Sequence, residues 1–143
     1  MSQNQTQGLG GLSYKSTNDL SGTVSDVTNG NTVGSLYKNA VGLFVISDTA
    51  NACSIVLAGA NAPSIGVLCD TPKAGQPGQV QTVGSAKVLS GAAVAIGDNI
   101  MTDASGRGVP ASGATQHIVG KAMEAASAAG QLIEVVLRND YVA

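Results

Sequence analysis

The sequence predicts an all-β fold, a small β-sandwich or barrel with an extended N-terminal arm. From Ala40 onward, apolar runs of strand length alternate with turn-forming glycine, proline and asparagine. The 19 glycines and four prolines leave no interval that suits a long helix. Residues 1–35 differ in composition, so we expect two regions: an extended arm and irregular segment at 1–35, and a β domain at 36–143.

The predicted arm is rich in Ser, Thr, Asn, Gln and Gly. Its apolar residues, such as Leu9, Leu12 and Leu20, are isolated and follow no sustained helical or strand period. Two interpretations remain open. The segment orders against a neighbouring subunit, or it is a loose tail or a set of irregular edge strands.

The first half of the β domain contains five apolar runs that are bounded by turn residues. A short helical turn fits residues 34–39 just before them. The predicted strands are residues 40–46, 54–60, 64–69, 79–83 and 86–89.

The second half continues this pattern. Residues 103–106 predict a hairpin, because Gly106 accepts the positive φ of such turns, and Gly130 predicts a turn between the last two strands. The alanine-rich residues 122–129 have helical propensity but too little length, which favours strand and turn. The predicted strands are residues 94–96, 99–102, 116–124 and 131–138.

A weak internal echo links the two halves. In each, a glycine in an apolar run is followed four residues later by a carboxylate, and a Gly-Gln pair then opens the next strand. Such an echo marks equivalent corners of a sandwich or barrel, or arises by chance in a glycine-rich chain. The residues are Gly66, Asp70 and Gly78-Gln79 in one copy, and Gly120, Glu124 and Gly130-Gln131 in the other.

Composition argues against several classes of function. Seven scattered basic residues, a net charge of −2 and four aromatic residues do not form a nucleic-acid surface. No apolar run is long enough to span a bilayer, and residues 1–8 lack the pattern of an export signal. Charged residues make up only 11%, so we expect a partner protein to cover part of the surface.

The reactive side chains do not form a recognisable catalytic or metal-binding pattern. His117, the single histidine, is predicted to be a surface or subunit-interface residue at a strand entrance. Cys53 and Cys69 are predicted to be reduced, structural thiols in buried strands. The carboxylates Asp48, Asp70, Asp98 and Asp103 fall where turns are expected. We therefore predict no enzyme activity, no catalytic residue, no cofactor and no metal.

Residues 64–138 resemble the capsid decoration, or cement, proteins of tailed bacteriophages. The resemblance lies in the order and spacing of short motifs along about half of the chain. These motifs are the runs at residues 65–68, 91–98 and 130–137, the turn at 103–107 and the step at 119–122.

This resemblance implies a structural virion protein on the outer capsid surface, made in the host cytoplasm. Such proteins are commonly homotrimers that clamp neighbouring subunits of the major capsid protein and stabilise the expanded shell. We expect the arm to contribute the capsid contacts, through Leu9, Gly10, Gly11, Leu12 and Tyr14. The alternative is a phage fibre or adhesion module that binds a host surface receptor.

Overall fold

The computed structural model describes residues 11–16, 41–70 and 75–142, and it confirms the all-β fold. Ten strands form two groups of five, which we call unit 1 (β1–β5) and unit 2 (β6–β10). The strands are β1 (Gly11–Ser16), β2 (Phe44–Ser47), β3 (Ser54–Leu57), β4 (Gly66–Leu68), β5 (Pro77–Gln81), β6 (Ser85–Leu89), β7 (Asn99–Thr102), β8 (Gly108–Pro110), β9 (Gln116–Ala122) and β10 (Leu132–Val142).

Unit 1 is a closed barrel with the strand order β1-β3-β2-β4-β5. Among its described strands, the one parallel contact joins β1 to β3, and the closing contact joins β1 to β5 in antiparallel register. Unit 2 is a five-stranded sheet with the order β6-β10-β9-β7-β8. A parallel bridge between Ser90 and Gly108 joins the two ends of that sheet.

The strand pairings of unit 2 repeat those of unit 1 in order and in register. Each neighbour relation in unit 1, the parallel one included, recurs when β1–β5 are matched to β6–β10. The chain is therefore a structural tandem repeat of one β unit. The matched pairs include Val45–Gly66 with Ile100–Gly120, Leu68–Val80 with Ala122–Val135, Ser47–Ile55 with Thr102–Gly108, and Ser16–Ile55 with Ser90–Gly108.

The turns repeat as well as the strands. Eight of the nine described residues with positive φ fall into four equivalent pairs, and Gly84, in the link between the units, is the ninth. Turn carboxylates also match, because Asp48 and Asp103 each accept a hydrogen bond from the backbone N–H two residues later. The equivalent positive-φ pairs are Gly42 and Gly97, Cys53 and Gly106, Asn61 and Thr115, and Gly75 and Gly130.

The echo seen in the sequence corresponds to this repeat. The Asp70 carboxylate accepts the Gln79 N–H at 3.0 Å, and the Glu124 carboxylate accepts the Glu134 N–H at 3.0 Å, so each closes the corner before the last strand of its unit. The Gly-Gln pair matches differently from the prediction. The structural equivalent of Gly130-Gln131 is Gly75-Gln76, whose backbone groups make the same bonds to Ser16 that Gly130-Gln131 make to Ser90.

Most of the predicted strands are confirmed, with bounds that differ by up to four residues, and the hairpin at 103–106 and the turn at Gly130 are present. Residues 94–96 form only an isolated bridge from Val94 to Ala126, and β8 was not predicted. The helical turn predicted at 34–39 lies outside the described residues.

Two predictions need correction. Residues 11–16, which we assigned to the arm, are a barrel strand, so the boundary expected at residue 35 does not hold for them. Cys53 and Cys69 are free but exposed, not buried, because both lie just outside a strand, Cys53 before β3 and Cys69 after β4.

Candidate interaction surface

The predicted contact residues lie in or next to β1. Gly11 and Leu12 pair with Gln81 and Val80 of β5, and the half-buried Tyr14 packs against the core of unit 1. These three residues therefore help to close the barrel. Leu9 and Gly10 lie outside the described residues, and contact of any of the five with another protein stays a prediction.

A cluster of exposed apolar side chains on unit 2 is the clearest candidate surface among the described residues. Exposed apolar patches on soluble proteins commonly mark protein interfaces. Six large apolar residues are exposed in the described part of the chain, and four of them belong to unit 2. We call these four the unit 2 patch: Ile96, Met123, Leu132 and Val136, with exposures of 70%, 53%, 56% and 38%.

Strand geometry brings the patch together. Leu132, Glu134 and Val136 alternate along β10 and so point to the same, outer face, while Ile133 and Val135 are buried. The Met123 N–H donates to the Glu134 carbonyl at 2.8 Å, which places Met123 beside β10. The Gly97 N–H donates to the Ala122 carbonyl at 2.8 Å and brings the loop that carries Ile96 to the end of β9.

The charges within the patch are paired with one another. Lys87 Nζ lies 2.7 Å from Glu124 Oε2 and 3.7 Å from Glu134 Oε1. The Lys87 hydrogen bond, followed by the Glu134 N–H, holds the pKa of Glu124 below its usual value, and the bond to Glu124 raises the pKa of Lys87. Because Lys87 offsets only one of the two carboxylates, the three groups keep a formal charge of −1, and the patch suits a largely apolar, weakly charged partner surface.

The sequence contained a signal for this surface that the strand assignment did not use. The run Leu132–Leu137 is apolar at five of its six positions, so both faces of β10 are apolar. A strand that is apolar on both faces is normally covered on both. The core of unit 2 covers one face, and the other face carries the patch.

The remaining reactive groups have local roles. The half-buried His117 lies at the start of β9, as predicted, and its backbone N–H donates to Asn61 Oδ1 at 2.8 Å. A cleft of about 250 Å³ lies between the units, and Arg138 is the one ionisable side chain among the described residues that line it. Within the described ranges, no group of three or more metal-ligating side chains comes together, and no helix could cross a membrane.

Comparisons with known proteins agree with this architecture. A family model described as phage cement protein matches residues 41–138. Among solved structures, the chain is similar to the N base of the head fiber gp8.5 of bacteriophage phi29, with a TM-score of 0.64 and 18% identity over 90% of this chain and 92% of that chain. At this identity the likeness shows the fold alone. No curated protein matches the chain.

Proposed function

The chain belongs to the family of phage cement proteins, and from this premise we propose that it binds the outer surface of a phage head as a homotrimer and clamps neighbouring major capsid subunits. Membership of the family makes the chain a structural, capsid-associated protein of the virion. The outer surface, the trimer and the capsid partner are parts of the proposal.

The unit 2 patch is the observation that supports this proposal most directly. Three of its four residues, Ile96, Met123 and Leu132, are apolar yet more than half exposed. Covering them with a capsid subunit removes apolar surface from water, at about 25 cal/mol for each Å². We therefore assign the patch to the capsid contact, together with Leu9 and Gly10 of the arm.

Such a protein acts by mass action. Because it binds the expanded lattice and not its separated subunits, each bound copy lowers the free energy of the assembled shell relative to the dissociated one. No chemical step is needed. No observation among the described residues favours the alternative of a receptor-binding fibre module.

Co-sedimentation with expanded heads that lack the protein tests the contact. The substitutions Ile96→Asp and Met123→Asp place a charge in the patch, and we expect each to weaken binding at least tenfold. Val83→Asp is the matched control, because Val83 is 62% exposed and lies outside the patch. Equal binding by all three variants would remove the patch from the proposal.

The oligomer needs a separate measurement. Sedimentation velocity of the free protein and cryo-electron microscopy of decorated heads report its stoichiometry in solution and on the shell. We expect three copies around each occupied position. A monomer in both settings would contradict the homotrimer while leaving the capsid contact to be judged by co-sedimentation.

A further inference from the structure

Each unit inserts a side chain into the core of the other unit, and these two side chains join the units. Phe44 of unit 1 is fully buried and belongs to the core cluster of unit 2. Its Cε2 atom lies 3.6 Å from the point where a Cβ on Gly108 would be. In return, Leu89 of unit 2 belongs to the core cluster of unit 1, and its N–H donates to the Gly42 carbonyl at 2.9 Å.

Each residue that makes this contact is replaced by a different type of residue at the equivalent position of the other unit. The matched registers of the two units identify these positions. Exposed Asn99 stands where unit 1 has Phe44, exposed Lys15 stands where unit 2 has Leu89, and buried Ile55 fills the core position that is Gly108 in unit 2.

We propose that the outer face around Phe44 is an interaction surface that fits a copy of the same β unit, and that Asn99, Lys15 and Ile55 end the series at two units. A surface that recurs on every unit of a head-to-tail repeat adds units without limit unless the ends differ. An amide and an ammonium group cannot enter an apolar core without losing water contacts, and Ile55 leaves no room for a ring.

A double-mutant cycle on Phe44 and Gly108 tests the fit between ring and glycine. In the native protein, a Cβ on Gly108 would lie 3.0 Å from Val88 Cγ1 and 3.0 Å from Ile100 Cγ2, which are held in place by the packed core. Phe44→Ala gives these side chains room to move. We expect Gly108→Ala to lower Tm by about 5 °C in the native protein and by less than about 2 °C in the Phe44→Ala background. Equal shifts in both backgrounds would overturn the assigned fit.

A mixing experiment tests the ends of the repeat. The variant Asn99→Phe carries the aromatic ring on its free face, and the variant Lys15→Leu/Ile55→Ala carries the complementary leucine and space. We expect each variant alone to keep the mass of the unsubstituted protein, and the mixture to form a larger complex with equal amounts of both in sedimentation velocity.

The controls separate specific docking from general adhesion. A mixture of Asn99→Phe with the unsubstituted protein should not associate, since Ile55 still fills the position. Circular dichroism and a cooperative thermal transition establish that each variant is folded. The proposal is wrong if the two folded variants fail to combine at about 100 µM, a concentration at which weak specific complexes form. It is also wrong if either variant associates alone as strongly as the mixture does.

Discussion

Units 1 and 2 share their strand pairing, their turn conformations and their corner carboxylates, yet they differ in what their outer faces contact. The outer face of unit 1 carries Phe44 and Val67, which unit 2 buries. The equivalent Asn99 and Lys121 of unit 2 are exposed. A few turn and glycine positions thus maintain the β unit, while its outer faces are free to differ.

The largest difference is expected at the glycines in the fourth strand of each unit. A Cβ on Gly66 would overlap the Gln81 backbone carbonyl most closely and would lie 2.7 Å from Val80 Cγ1. A Cβ on Gly120 would overlap the Val135 side chain most closely and would lie 2.8 Å from the Val136 carbonyl oxygen. We expect Gly66→Ala to cost about 3 kcal/mol and Gly120→Ala about 2 kcal/mol, since the closest overlap at Gly66 is with a paired strand and at Gly120 with a side chain, which moves more easily. Gly59→Ala, which meets nothing within 4 Å, is the control in urea unfolding. Equal losses at Gly66 and Gly59 would contradict the close strand approach.

The next comparison concerns the turn carboxylates. Asp103 accepts the N–H groups of Ser105 and Arg107 and pairs with Arg107 Nε at 2.7 Å, all partly buried. The equivalent Asp48 accepts the Ala50 N–H in an exposed turn. We expect Asp103→Ala to cost about 2 kcal/mol and Asp48→Ala about 0.5 kcal/mol in the free energy of unfolding. A larger loss at Asp48 would show that burial does not govern these turns.

The corner carboxylates differ in how stability depends on pH. The pKa of Glu124 is lowered in the folded protein, chiefly by the hydrogen bond from Lys87. Its contribution is therefore present above the unfolded pKa of about 4.3 and is lost as the pH falls through the folded pKa. We expect Glu124→Gln to reduce the loss of Tm between pH 5 and pH 3. An unchanged loss of Tm between pH 5 and pH 3 would contradict this role. Asp70→Asn is the matched variant at the equivalent corner of unit 1.

Lys87 provides the reciprocal test within the same prediction. Because its pKa is raised by Glu124, its contribution is present below about pH 10.4 and is lost as the pH rises through the raised value. Glu124→Gln should therefore flatten the alkaline limb of the stability curve too.

The smallest effect is expected at Cys53, which has a φ of 56° where the equivalent Gly106 has 79°. A left-handed conformation costs a residue with a Cβ about 1–2 kcal/mol, and the greater flexibility of unfolded glycine offsets part of the gain. We expect Cys53→Gly to stabilise the protein by about 0.5 kcal/mol. Cys69→Ser, in an ordinary conformation, is the control, and destabilisation by Cys53→Gly would contradict the equivalence of the two turns.

The fold class and most strands could be predicted because apolar runs and turn residues are local signals. β1 was missed because its residues, GLSYKS, contain only two large apolar side chains, and the strand is defined by its partners β3 and β5. β8, with three residues, is equally dependent on β7. The repeat was visible only as an echo, since equivalent core positions such as Ile55 and Gly108 share register but not residue type.

The candidate surface was harder to predict than the fold. The arm drew attention because its composition is unusual, whereas the unit 2 patch is assembled from a loop, a strand end and one face of β10. Only the structure shows that the loop of Ile96 meets the end of β9 and that Met123 lies beside β10. The burial expected for Cys53 and Cys69 failed for a related reason, since an apolar neighbourhood in sequence does not determine which residue lies beyond the strand end.

The insertion of Phe44 into the core of unit 2 and of Leu89 into the core of unit 1 also determines how the protein unfolds. Each unit has part of its core supplied by the other, so neither half can open while the other stays intact. Unfolding must then release both units in one concerted event, which raises the activation barrier relative to two independent small domains. The slow first opening of this interlocked core then sets the lifetime of the folded strands, and a protease reaches the described strands of either unit only when both units unfold together.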